Sequence, residues 1–161
     1  MKKHTMDRVE QLLEKPCWVM DFLPKQVPAQ SGGQYFTIEH YFRTHYREQI
    51  ANAFFIILLK VNCYEDIAFS VDGDSWTDNP RPEELREKIT ACVLAEDPFY
   101  VLLDNRETLL MYEGDDANLV IYNPSERLLN LLSALAPSEG FYVWKPYTTI
   151  TNNQLPITNN Q

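Results

Sequence analysis

The chain has 161 residues, 45% hydrophobic and 12% aromatic, enough apolar matter for one core that needs neither disulfides nor a metal. Cys17, Cys63 and Cys92 lie far apart and form no CxxC or Cys/His ligand spacing, which points to a reduced, cytoplasmic setting. A formal charge of −9 disfavours direct binding to nucleic acid or anionic lipid, both of which need Lys and Arg against phosphate, and no apolar run approaches the ~20 residues of a membrane span.

Met6, Val9, Leu12 and Leu13 recur at helical spacing and predict a first helix over residues 5–15, closed by Pro16. Its charged residues are too frequent for the apolar region of a signal peptide. Residues 17–22 read as a strand. The stretch 23–34, with Pro24, Pro28 and Ser31-Gly32-Gly33, is irregular enough to be a lid or a plain surface connection. Residues 35–42 are open between strand and helix. Thr44 suits the cap of a helix reaching Val61, with residues 54–61 also readable as a strand.

Alternation over residues 67–71, followed by Asp72-Gly73, predicts a hairpin across 67–77. Ser70, Asp72 and Trp76 in this stretch resemble the Asp-box hairpin, S-x-D-x-G-x-x-W, with Asp74 in the glycine's place. That resemblance implies a stabilised turn and no activity. Pro80 and Pro82 open a helix to about Leu94, and residues 99–104, 108–113 and 118–122 form an antiparallel meander joined by short polar turns. Asn123-Pro124-Ser125-Glu126 predicts a helix start with Asn123 as cap; that helix stops before Pro137, and residues 141–145 form a last strand. After Pro146 the sequence turns to Thr, Asn and Gln, and ITNNQ occurs twice, like a translated intergenic repeat that extends a bacterial reading frame. Residues 1–146 are therefore read as one α+β domain, an antiparallel sheet of about five or six strands with helices mainly on one face, and residues 147–161 as a disordered tail.

Charge is unevenly distributed. Residues 1–60 carry eight Lys/Arg against six Asp/Glu, and residues 61–116 carry four against fifteen. Such an acidic middle either keeps the protein soluble or meets a basic protein partner. The partner reading, an inhibitor, immunity-like or adaptor module, selects Asp72, Asp74, Asp78, Asp115 and Asp116 as contact residues.

Conventional chemistry is thinly represented. His40 and His45 are five apart, whereas the helical zinc motif needs a spacing of about four, and no metal site is expected. Asp72, Asp74, Asp78 and Glu83 fail as a calcium loop because Trp76 and Thr77 occupy a ligand and the required glycine. GxGxxG, GxxxxGK and GxSxG are absent, so no cofactor or serine nucleophile is indicated. The alternative to partner binding is an enzyme or small-ligand site built on His40, Tyr41, Arg43 and His45 beneath the 23–34 loop. Against it, Glu39, Arg43 and Arg47 at helical spacing read as a solvated ion-pair row.

Overall fold

A computed structural model describes residues 2–147, with side chains from residue 8 onward. The repeat-bearing stretch 148–161 lies outside the described residues. Tyr147, which the sequence assigns to the tail, is described, and its amide donates to Gln26 Oε1 at 2.8 Å.

The described chain is α+β with an antiparallel sheet. Its elements run α1 (Lys2–Leu13), β1 (Cys17–Asp21), α2 (Tyr35–His45), α3 (Arg47–Asn62), β2 (Ala68–Ser70), β3 (Thr77–Asp78), α4 (Pro82–Ala95), β4 (Phe99–Leu103), β5 (Thr108–Tyr112), β6 (Leu119–Tyr122), α5 (Glu126–Leu135), a short 3-10 turn (Ala136–Glu139) and β7 (Tyr142–Trp144). Seven strands form one sheet in the order β3-β2-β4-β5-β6-β1-β7. Strand alternation sends Phe99, Val101 and Leu103 of β4 and Leu110 and Tyr112 of β5 into a core with Phe54, Leu58, Ile89, Leu128 and Leu132 of α3, α4 and α5. Leu102 and Leu109 face the other way, where Val9 and Leu12 of α1 cover them.

Both ambiguous segments are helical. Residues 35–45 form α2, and residues 54–61 lie inside α3, whose buried Ile50, Phe54, Ile57, Leu58 and Val61 form a continuous stripe. The helix expected from a Thr44 cap to Val61 starts instead at Arg47, because Thr44 lies inside α2 and the chain breaks at Tyr46. Arg47 makes the break tolerable, because its Nε donates to the Arg43 carbonyl at 2.6 Å and satisfies a group that a continued helix would have paired. The cap of α5 is also corrected. Ser125 Oγ accepts from the Leu128 amide at 3.1 Å, whereas Asn123 adopts φ +59° and donates its side-chain amide to the Glu107 carbonyl at 2.8 Å.

Between β2 and β3 the chain makes a wider connection than a two-residue turn. Asp72 Oδ1 accepts from the amides of Asp74 and Ser75, both at 2.8 Å, while Ser70 Oγ accepts from the Asp72 and Gly73 amides at 3.2 and 2.8 Å. These bonds form the local side-chain-to-backbone device that stiffens Asx turns.

Register decides which loops meet. Ser70 pairs with Tyr100, Phe99 with Tyr112, Met111 with Val120, and Met20 with Leu119. The connections 71–76, 96–98 and 113–118, and the loop 22–34, therefore leave the sheet at the same end, called here the loop end. Asp78 and the β4–β5 turn (104–107) lie at the opposite end.

Candidate functional site at the loop end

Apart from Glu83, Glu84 and Glu87 on α4, the carboxylates of the acidic middle lie toward the two ends of the sheet, and the ends are treated differently. At the β4–β5 turn nearly every carboxylate has a cation. Arg8 pairs with Glu107 (2.6 Å), Arg106 with Asp78 (3.1 Å), and Arg127 with both Glu65 (3.0 Å) and Asp104 (3.2 Å). Glu65 Oε1 also takes the Asp104 amide at 2.8 Å, which steadies a turn whose Asp104, Asn105 and Arg106 all have positive φ. At the loop end Glu96 is paired with Arg47. Asp72, Asp74, Asp97, Glu113, Asp115 and Asp116 take part in no ion pair among the described residues.

These loop-end carboxylates are crowded. Oxygens of Glu113, Asp115 and Asp116 lie within 4.8 Å of one another. Burial, followed by the charges of Asp115 and Glu113, pushes the Asp116 carboxyl up to about 6, against the pull of Arg43. Glu113 is raised as well, by burial and then by Asp115. Asp72 goes the other way. The amides of Ser75 and Asp74 hold its carboxylate below the usual range, so it stays charged in acid that would neutralise its neighbours. Gly114 permits this crowding: it has φ +100°, and a Cβ there would stand 2.5 Å from the Glu96 carbonyl oxygen. Only glycine lets the 113–118 connection lie this close against 96–98.

Behind the exposed groups lies a second, buried pair of carboxylates. Glu39 is 6% exposed and is held by Arg43, whose Nε donates to Oε1 at 2.9 Å and lies 2.8 Å from Oε2. The expected solvated row of Glu39, Arg43 and Arg47 is thus corrected: Glu39 is inside, and Arg47 starts a new helix and turns to Glu96. Asp21, at the end of β1, is 3% exposed and its Oδ1 has no hydrogen-bond partner among the described residues. Burial pushes its carboxyl up to about 6, with Glu39 and Asp116 adding to the rise and the backbone amides of Phe22 and Leu23 opposing it. Beside it, Tyr35 is pushed up to about 12, first by burial and then by Asp21 and Glu39.

Asp21 opens on a cavity of about 400 Å³ whose walls include Gln26, Tyr35, Phe36, Asn118 and Trp144. Its floor follows from the pleat. Val19 lies opposite Trp144 and Met20 opposite Leu119, so Asp21, Asn118 and Trp144 project from the face that α1 covers elsewhere. The 22–34 loop roofs it. Trp144 Nε1 donates to the Leu23 carbonyl at 3.0 Å, and the Phe22 and Phe42 rings meet at 4.9 Å. Pro28 to Gly33, between these tethers and α2, are exposed.

Of the four residues of the alternative site, the fold turns only Arg43 inward. His40, Tyr41 and His45 are exposed on α2, with Tyr41 and His45 rings 4.4 Å apart. Phe36 (84% exposed), Ile38 and Tyr41 on the same helix, and Tyr46 just after it, are exposed apolar or aromatic side chains. Of the five partner-contact residues, Asp72, Asp74, Asp115 and Asp116 share the loop end, while Asp78 sits at the far end against Arg106. Burial raises the thiol pKa of Cys17 and Cys92, with smaller contributions from Glu113 and Asp97, which disfavours the thiolate that nucleophilic chemistry needs. Sequence reasoning missed Asp21, Asn118 and Trp144. The available signal was a lone carboxylate in the otherwise apolar run 17–22.

Among the described residues no helix is long and apolar enough to cross a membrane. Comparison with protein-family models, with curated proteins and with solved structures found no match.

Proposed function

We propose that the protein is a non-enzymatic binding module, an immunity-like inhibitor or an adaptor, whose loop end docks a basic protein partner. The observation that carries this reading is the contrast between the two ends of the sheet. Carboxylates matched by Arg contribute little field beyond their own contacts, whereas six without ion pairs among the described residues at one end sum to a potential that accelerates and selects the approach of a cationic surface. Asp72, fixed by backbone amides, gives that potential a rigid element that costs no side-chain ordering on binding. Exposed Phe36 and Tyr41 on the adjoining α2 supply the apolar and aromatic contact that protein interfaces add to charge.

The test is capture from a native lysate at low and moderate salt with three versions of the chain. Wild type is expected to retain a basic protein that moderate salt releases. Reversing Asp72, Asp74, Asp115 and Asp116 to Lys should abolish retention, and reversing Asp78 and Glu107, both paired with Arg at the matched end, should leave it. Equal loss with both reversals, in chains whose circular dichroism is unchanged, removes the loop end as the docking surface.

A further inference from the structure

We infer that the cavity beneath the 22–34 loop receives an aliphatic ammonium or guanidinium group, the end of a Lys or Arg side chain on the basic partner, with Asp21 as its counter-charge. The identity of the occupant rests on the docking reading above; the cavity's preference for a cation rests on the cavity itself.

The first observation is Asp21 Oδ1. A buried carboxylate oxygen without a partner is costly, and proteins ordinarily match such a group with a hydrogen bond or a cation. No Lys or Arg lines this cavity among the described residues, and Arg43, the nearest guanidinium in the cluster, is engaged by Glu39. Asp21 lines the cavity while its Oδ1 is closed off from it, so a cation supplied from outside reaches that oxygen when the roofing loop and the carboxyl shift, and it leaves the Arg43–Glu39 pair undisturbed. Second, the walls suit a cation on an apolar stem. Tyr35, Phe36 and Trp144 are aromatic residues of the kind that pack methylenes and attract cations, and Gln26 and Asn118 are polar lining residues whose side-chain amides include acceptors, although Gln26 Oε1 already takes the Tyr147 amide. The cavity's volume falls within the range of about 300–1,000 Å³ usual for ligand sites. Third, the charge around Asp21 is negative on balance: Glu39 of α2 and Asp116 of the β5–β6 connection lie behind the cavity wall and add to its field, and Arg43, paired with Glu39, offsets part of it. The cavity also lies at the acidic end, so a partner steered to Asp72 and Asp115 delivers its side chains to the roofing loop. Gly32 and Gly33 in that loop carry no side chain, and nothing lies within 4 Å of where a Cβ on Gly32 would stand, which leaves the loop room to part.

The direct test uses free cations and the full ¹⁵N-labelled chain, without the partner. n-Butylammonium and n-butylguanidinium are titrated in while the Trp144 indole N–H, which donates to Leu23, is followed by NMR. Both should shift that resonance saturably, and uncharged n-butanol should not. Asp21→Asn should weaken binding about tenfold or more, as expected for a lost charge-assisted hydrogen bond. In the wild type, lowering the pH from 8 to 5 should weaken it about tenfold, because protonation of the Asp21 carboxyl competes with the ligand. The inference is overturned by the absence of a saturable shift, by equal shifts with n-butanol or tetramethylammonium, or by undiminished affinity in folded Asp21→Asn. Should that variant misfold, the wild-type pH series and the n-butanol comparison decide alone. Amine binding in a chain that captures no basic partner would overturn the partner's side chain as occupant. Salt-sensitive capture without amine binding would overturn the cavity and leave the docking surface standing.

Discussion

Replacing Phe54 by alanine is expected to lower the unfolding free energy by about 4 kcal/mol, near the upper part of the range for deleting a buried aromatic ring. Phe54 projects from α3 with no exposed surface, and its ring stands 5.2 Å from Phe141, 5.8 Å from Tyr112 and 6.4 Å from Phe99. Phe99 in turn meets Phe69 at 5.5 Å and Tyr112 at 5.3 Å. This aromatic row crosses β2, β4 and β5 just below the loop end, so truncating its centre leaves a cavity bounded by rigid rings that cannot collapse into it. Urea denaturation followed by circular dichroism checks the size of the loss. A loss below about 1.5 kcal/mol, the cost of a tolerated hydrophobic swap, would mean that the row does not carry the core.

Asp21→Asn should have the opposite sign. The Asp21 carboxyl titrates at about 6 in the folded chain against an ordinary value of 3.8, so the folded state binds the proton more tightly than the unfolded state does. Between those two values stability therefore falls as pH rises, and above both the folded chain carries the full cost of an ionised, buried Asp21 whose Oδ1 has no partner among the described residues. Asparagine removes that charge and keeps an acceptor for the Phe22 and Leu23 amides. At pH 8 the variant should be more stable than wild type by about 2 kcal/mol, somewhat below the ~3 kcal/mol that full linkage between the two values would give. Near pH 4, where both Asp21 and its replacement are neutral, the two denaturation curves should draw together. A variant less stable than wild type at pH 8 would show that Asp21 is satisfied in the folded chain, and the cavity would lose its reason to hold a cation. Stability given up at one buried carboxylate is what a binding site held ready for its ligand looks like before the ligand arrives.

Much of the architecture was legible because period and punctuation agreed. The meander over β4, β5 and β6 alternates between two faces and is joined by polar turns, and Pro82 stands at the start of α4. The failures are equally specific. Residues 35–45 are rich in Tyr, Phe and Thr, which favour strands in isolation; tertiary contacts of Phe42 and Glu39 made them a helix. Asn123 and Ser125 both suit a cap, and the choice depended on a long-range bond from Asn123 to Glu107 that no local pattern contains. The acidic bias was visible, but its division between a matched and an unmatched end was not. Asp78 and Asp72 are six residues apart in sequence and at opposite ends of the sheet, because β3 returns along β2. Asp21 escaped notice for a related reason. Its significance comes from Asn118 and Trp144, which strand pairing brings beside it from more than ninety residues away.

The surface itself can be interrogated without knowing the partner, by titrating the ¹⁵N-labelled chain with a hexalysine peptide at low salt and mapping the amide shifts. If the loop end attracts cations, shifts concentrate at residues 71–76, 96–97 and 113–118 and disappear at moderate salt. Shifts spread evenly over the surface, or centred on the matched carboxylates around Arg106 and Arg127, would contradict it.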